Sequence, residues 1–437
     1  VTDASASTAL LTDQYELTMV QAALRSGTAH RQCTFEVFAR QLPPGRRYGV
    51  VGGTGRMLEG LEQFRFGAAE LEYLRRESIV DDATLQFLAD YRFSGDISGY
   101  AEGEAYFPHS PVLKVTASFA EACLLETFIL SVMNHDSAVT SAGSRMTLAA
   151  GGRLCLEMGG RRTQEHSAVA AARAAAVVNF AATSNLQAGR EWGIPTVGTA
   201  AHSFMLLHDS EEEAFAAQVQ AFGAGTTLLV DTYDVEAAVR KAVEIAGPEL
   251  GAVRLDSGDL VQQAHDVRGL LDSLGNQNTQ IVVSSDLDEH AIAGLAAAPV
   301  NSYGVGTRLV TGSGAPTASM VYKLVERADA DGRPVPVEKA SAGKTSIGGS
   351  KSVLRSIGED GRAEAEVISA EAPVEESGYT GRTLQVPLVI GGEVQPGCTG
   401  EEGVRRAGHR HRASVHQLPA EARRLSSGEP VIPTIFA

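Results

Sequence analysis

Through the middle of the chain short apolar runs alternate with alanine-rich helical segments, and this rhythm restricts the possible folds more than any other property. The runs at 154–158, 194–197, 227–230, 253–255 and 281–283 alternate with helix-like segments at 235–246, 261–274 and 289–298. Strand-helix repetition at this spacing implies parallel β-strands joined by right-handed crossovers, either as a closed barrel or as a doubly wound sheet. The residues with chemical potential fall at the C-terminal ends of these strands, the rim where barrel active sites gather. The expected fold is therefore α/β: an irregular, TIM-like α/β barrel plus a strand-rich α+β domain built from both chain termini.

The flanks support that division. Residues 13–25 predict a helix in which Asp13 caps, Glu16 follows three residues on, Leu17, Val20 and Leu24 recur at helical spacing, and Gly27 ends it. Residues 33–40 alternate, with Phe35, Val37 and Ala39 on one side, as a half-buried strand does. Short strands recur over 96–119, and a helix from near Ala120 carries Leu124, Leu125, Phe128 and Val132 on a core-packed face. From about Glu338 short strands return at 339–355 and 384–394, followed by a charged tail. Residues 1–118 and 336–437 are expected to form the α+β domain and residues 119–335 the barrel.

Composition narrows the function. With 43% hydrophobic and 21% charged residues over 437 positions, the chain has the balance of a globular enzyme, not of a disordered or fibrous protein. Its apolar stretches are interrupted well short of the roughly 20 residues that cross a bilayer. Residues 1–12 lack the basic-then-apolar layout of an export signal, so a cytoplasmic location is expected. Four cysteines without a CxxC pair indicate neither a zinc knuckle nor a disulfide framework, and Cys123 and Cys155 read as core thiols. A formal charge of −16 argues against nucleic-acid binding. An anionic substrate must then be met by a local cluster of arginine, lysine and backbone N–H groups.

Several constellations qualify. Gly198-Thr199-Ala200-Ala201-His202-Ser203-Phe204 sets one imidazole among small residues after a strand, where it can act as base, ligand or phosphate acceptor. Tyr303-Gly304-Val305-Gly306-Thr307 lets backbone N–H groups approach an anion beside a hydroxyl. Ser284-Ser285-Asp286 ends a strand ahead of a helix whose dipole can share that anion. Arg254 suits a phosphate, while Asp256 and Asp259 can hold ribose hydroxyls or magnesium, with Asp259 equally able to cap the next helix. Arg161 and Arg162 follow a glycine turn and suit a carboxylate or phosphate. His166, His208, His409 and His411 carry no such context and read as surface residues.

In this order the strings Leu11-Thr12-Asp13-Gln14-Tyr15-Glu16-Leu17, Thr34-Phe35-Glu36, residues 157–162, Thr183-Ser184-Asn185, 198–204, 254–259, 304–307 and Val321-Tyr322-Lys323-Leu324 resemble the nicotinate phosphoribosyltransferase family. The likeness covers nearly the whole chain. GTxAHS followed by RLDSGD and GVGT is far more specific than any one of its parts. It implies formation of nicotinate mononucleotide and pyrophosphate from nicotinate and phosphoribosyl pyrophosphate with Mg²⁺, coupled to ATP hydrolysis. By the same resemblance His202 is phosphorylated by ATP, and Arg254 and Asp256 hold phosphate and ribose hydroxyls. Ser285, Asp286, Gly304, Gly306 and Thr307 take the 5′-phosphate, and Arg161 lies against nicotinate. Tyr15 stacks on the pyridine ring from the neighbouring subunit of a homodimer. Ser184 stands where nicotinamide-using relatives carry an aspartate, which would repel a carboxylate. Met158 replaces a phenylalanine of the ring sandwich, Gly160 a bulkier residue, and Ala182 a glycine, and the segment from Ser346 to Lys351 lacks an expected proline. The rival readings are transfer to nicotinamide, a non-catalytic phosphosugar-binding relative and, more distantly, a barrel glycosidase.

Overall fold

The alternating middle of the chain becomes one sheet of six parallel strands, in the order Ala182–Thr183, Leu154–Glu157, Ser302–Val305, Gln280–Ser285, Ala252–Leu255, Thr227–Leu229. The computed structural model describes residues 7–339, 347–370 and 373–437. Residues 1–6 of the amino terminus and 340–346 of the strands expected over 339–355, with Ser346 among them, lie outside the described residues. The chain divides into two compact units, Ala142–Gly314 and the combination of Val1–Ser141 with Ala315–Ala437.

In the Ala142–Gly314 unit the last strand pairs with the first, Val305 opposite Glu157, as a barrel requires. The ring is interrupted once. The expected strand at 194–197 is reduced to a single bridge, Thr183 to Thr196, because Pro195 has no N–H to extend the ladder. The remaining strands are short and rich in β-branched and aliphatic residues, with Val253, Leu255, Ile281 and Val283 fully buried. Asp234, Asp259 and Asp288 cap the helices that follow, Val235–Ala246, Leu260–Ser273 and Glu289–Gly294, with their side chains. Small residues let Glu165–Val177 lie close to its neighbours, with Ala171, Ala174 and Ala175 fully buried.

The other unit is strand-rich and draws on both ends of the chain. Its antiparallel sheet runs Pro334–Pro336, Met320–Ala328, Gln32–Ala39, Leu113–Ser118, Asp96–Tyr100, Gln385–Ile390, Glu393–Val394. Met320–Ala328 pairs with Gln32–Ala39, so this segment belongs here and not with the barrel up to residue 335. At the other border the units divide between Ser141 and Ala142, within the long helix Glu126–Ala149, and not at residue 118.

Gln32–Ala39 is buried on both faces beyond its first residue, unlike the half-buried strand that its alternation predicts. It lies between two other strands, and Lys351 Nζ meets its buried Glu36 at 2.8 Å. The apolar helix expected from Ala120 is broken into Phe119–Cys123 and Glu126–Ala149, with Leu124 and Leu125 buried at the break. Burial pushes the thiols of Cys123 and Cys155 up to about 12, as core positions should. The charged tail folds into the helix Gly400–Gln417. His411 is buried there, contrary to the surface reading, and burial pushes its imidazole down to about 4. Among the described residues no helix is long and apolar enough to cross a membrane.

Arg355 joins this unit's two chain ends from within. Its guanidinium donates to Glu104 Oε1 and the Ala105 carbonyl, both at 2.8 Å, pairs with Glu366, and lies 5.5 Å from the Phe107 ring centre. Breaking a buried pair leaves charge without compensation. Arg355→Met should therefore cost about 3–5 kcal/mol, seen as a lower urea midpoint by circular dichroism. An unchanged midpoint would show that the network contributes nothing net.

Candidate active site at the strand ends

Because the six strands are parallel, their C-terminal ends open into loops along one edge of the sheet. His202 starts the short helix His202–Leu207, and its Nε2 lies 3.2 Å from Asp231 Oδ1. Asp231 sits two residues past Thr227–Leu229, with its side chain only 2% exposed. Its second oxygen accepts from the Asp256 backbone N–H and from the Ser257 hydroxyl, each at 2.9 Å. One buried carboxylate thus orients the imidazole and holds the exit of the neighbouring strand. With Nε2–H donating to Asp231, the ring keeps its lone pair on Nδ1. The His202 side chain is 41% exposed and open to a reactant.

The adjoining groups are linked in the same way. Arg254 Nη1 donates to Thr199 Oγ1 at 2.7 Å, fastening the glycine-rich loop before His202 to the Ala252–Leu255 strand. Its Nε is buried without a hydrogen-bond partner, an orphaned donor of the kind an anionic ligand satisfies. Asp256 Oδ1 accepts from the Ser284 hydroxyl at 2.5 Å, extending the chain of contacts to the Gln280–Ser285 strand. His202 and Asp256 are therefore joined through Asp231, while Arg254 is tied through Thr199 to the loop that leads into His202. Reasoning from sequence did not select Asp231. The available signal was its position, since it ends an apolar run as Asp256 does.

Other expected residues are placed differently. Asp259 Oδ1 accepts from the Gln262 N–H at 3.1 Å, so the capping alternative is realised. Ser285 and Asp286 are exposed at the strand exit, but leading N–H groups of the next helix are already taken. Asp288 takes those of His290 and Ala291 at 2.9 and 2.8 Å. Gly304 is buried, and a Cβ there would come within 2.7 Å of Met158 Sδ, so its missing side chain makes room for the thioether and not for an anion. Gly306 and Thr307 are half-buried, with Gly306 heading the four-residue helix Thr307–Val310.

The first two strands of the ring carry the remaining groups. Met158 N–H donates to the Val305 carbonyl at 2.8 Å, and Arg161 is exposed on the turn that follows. Ser184 N–H donates to the Glu157 carbonyl at 2.8 Å while its side chain faces solvent.

Tyr15 lies in the other unit, on the helix Gln14–Ser26, and is 45% exposed. Burial, helped by Glu126, pushes its phenol up to about 12. Asp13 makes no side-chain cap bond, and Glu16 does not complete the expected capping box. Its carboxylate is buried and accepts from Thr127 N–H at 2.8 Å, Thr127 Oγ1 at 2.6 Å and Thr12 Oγ1. Burial pushes the Glu16 carboxyl up to about 7.

Comparison with known proteins places this geometry. Residues 10–134 match the profile of the nicotinate phosphoribosyltransferase N-terminal domain, and residues 154–357 match that of the nicotinate phosphoribosyltransferase family. A nicotinate phosphoribosyltransferase of Mycobacterium tuberculosis is 54% identical over 97% of this chain and 94% of its own length. One from Bacillus subtilis is 35% identical over 80% of this chain and 74% of its own. The crystal structure of human nicotinic acid phosphoribosyltransferase superposes with a TM-score of 0.81 at 26% identity, covering 98% of this chain and 97% of that one.

A carboxyl whose folded-state value is raised takes up protons on folding, so its contribution to stability is present below the unfolded value and lost as pH rises through about 7. Glu16→Gln removes that loss. The variant should melt a few degrees above the parent at pH 8 and converge on it at pH 5, measured by calorimetry; the opposite trend would place a favourable negative charge at Glu16.

Proposed function

The chain belongs to the nicotinate phosphoribosyltransferase family, and we propose that His202 couples its reaction to ATP as a phosphoryl carrier. The reaction joins nicotinate to phosphoribosyl pyrophosphate, giving nicotinate mononucleotide and pyrophosphate in NAD salvage. The observation that carries the reading is the contact of His202 Nε2 with a buried carboxylate that also holds Asp256 and Ser257.

In the ATP step Nδ1 of His202 attacks the γ-phosphorus. The bond from that phosphorus to the bridging oxygen breaks as the new N–P bond forms, and ADP leaves. The ring becomes cationic and keeps its Nε2–H on Asp231, where a charge-assisted hydrogen bond stabilises it. The added phosphoryl charge draws on Asp231's neighbours and favours the state that binds phosphoribosyl pyrophosphate. Hydrolysis of the N–P bond by water then resets the ring and releases products.

In the transfer step the pyridine nitrogen attacks the anomeric carbon, and the bond from that carbon to pyrophosphate breaks. The nucleophile already carries its lone pair, so no general base is needed. Positive charge builds on the ribose ring, and the protein's work is orientation and charge stabilisation. Arg254 meets phosphate, with its unpartnered Nε as a further donor, and Asp256 holds ribose hydroxyls. Ser285, Asp286, Gly306 and Thr307 take the 5′-phosphate. Among the described residues no cluster of three or more His, Cys, Asp or Glu side chains forms a metal cage. Mg²⁺ carried with pyrophosphate needs only one or two carboxylates. Asp256 fits that need, and the ion would supply charge neutralisation to the leaving group.

For the base, Arg161 meets the nicotinate carboxylate, Met158 packs on the ring, and Ser184 leaves room where an aspartate would repel. The protein works as a cytoplasmic homodimer in which Tyr15 of a neighbouring copy stacks on the pyridine ring.

His202→Ala should keep its circular dichroism spectrum and lose the ATP stimulation of pyrophosphate release with nicotinate; undiminished stimulation would refute the carrier. Asp231→Asn should lower that stimulation by about 10²-fold, the scale expected when a reacting group is misplaced by about 1 Å.

A further inference from the structure

We propose that Glu157 is a positioning residue that sets the choice of base, by tying together the two loops that carry Met158, Arg161 and Ser184. The proposal rests on the reading of those three residues as the nicotinate pocket.

Glu157 ends the Leu154–Glu157 strand and is 1% exposed. Its Oε1 accepts from the Gly159 N–H, and its Oε2 accepts from the Thr183 hydroxyl at 2.5 Å. Thr183 Oγ1 in turn accepts from the Asn185 N–H at 2.9 Å, and the Glu157 carbonyl takes the Ser184 N–H at 2.8 Å. Side chain and backbone of one residue therefore hold Thr183 and Ser184 to the Met158–Arg161 turn, and Thr183 in turn holds Asn185. A Cβ at Gly159 would collide with Val310 and come within 2.9 Å of Glu157 Oε1, so the first loop has no freedom to move closer.

Burying a carboxylate at a strand end is costly without a compensating cation. Burial raises the Glu157 carboxyl, and only Thr183 and the Gly159 N–H oppose that rise. An apolar residue would fill the position at no such cost, as leucine and valine fill the ends of Ala252–Leu255 and Ser302–Val305. What the carboxylate adds is a fixed distance between Arg161, which must meet a carboxylate, and Ser184, which must not repel one. A shift of about 1 Å between such groups is enough to change discrimination between an acid and an amide.

The test compares Glu157→Leu, Glu157→Gln and Thr183→Val with the parent, using nicotinate and nicotinamide and measuring kcat and KM for each base and for phosphoribosyl pyrophosphate. Glu157→Leu and Thr183→Val should raise the nicotinate KM by about tenfold, as loss of one buried hydrogen bond does, and narrow the preference for nicotinate over nicotinamide. KM for phosphoribosyl pyrophosphate should stay within about twofold. Glu157→Gln, which can accept from Gly159 and donate to Thr183, should restore the nicotinate KM to within about threefold. If Glu157→Leu and Thr183→Val leave base preference unchanged, or raise both KM values alike while Gln rescues nothing, the proposal is wrong. A Ser184→Asp control separates the two levels: if it leaves base preference intact while Glu157→Leu alters it, the assignment of Ser184 fails and the role of Glu157 stands.

Discussion

The Asp231 carboxylate is the constraint on which the site depends. It is buried, it comes from the loop after Thr227–Leu229, and its two oxygens reach His202 on one side and the Asp256–Ser257 exit on the other. A buried carboxylate is tolerated only when its oxygens are occupied. Here the occupants are an imidazole and the loop of a neighbouring strand, so satisfying the carboxylate and assembling the site are one requirement. Ser284 on Asp256 and Thr199 on Arg254 then extend the same fixed geometry along the rim.

The strand order explains why such links are available. Consecutive strands lie side by side and the last returns to the first, so loops far apart in sequence become neighbours at one edge. The interruption beside the Thr183–Thr196 bridge falls where Pro195 cannot donate. The loop leaving that point is held instead by Arg254 and by the start of His202–Leu207. A loop fastened by side chains and not by a ladder has more freedom to adjust than the strands beside it.

Much of this was legible in sequence where local chemistry decides the outcome. The helix Val235–Ala246 matches its apolar period to the residue because Asp234 caps it and Gly247 ends it. The parallel sheet followed from strand-helix rhythm, and the sharing of strands between chain ends from their similar texture. Tertiary context decided the rest. Gln32–Ala39 alternates in sequence yet is buried on both faces, and a lysine distant in sequence pairs with its buried Glu36. His411 looked like part of a solvated tail, and its burial depends on the helix Gly400–Gln417 packing against the unit. In the site, His202 and Asp256 were visible as polar residues at strand ends. Gly304 was visible too, but its reason was hidden, because only the fold shows Met158 lying over it. Asp231 carries no motif of its own, and only the pairing of its strand with Ala252–Leu255 gives it its role.

The central claim is that Asp231 holds Nε2 and leaves Nδ1 to carry the phosphoryl group. The most direct measurement is the ³¹P NMR and peptide-mapping assignment of the phosphorylated nitrogen after the full chain is mixed with ATP and Mg²⁺. The account predicts phosphate on His202 at Nδ1. Phosphate on Nε2, on another residue, or on none would contradict it.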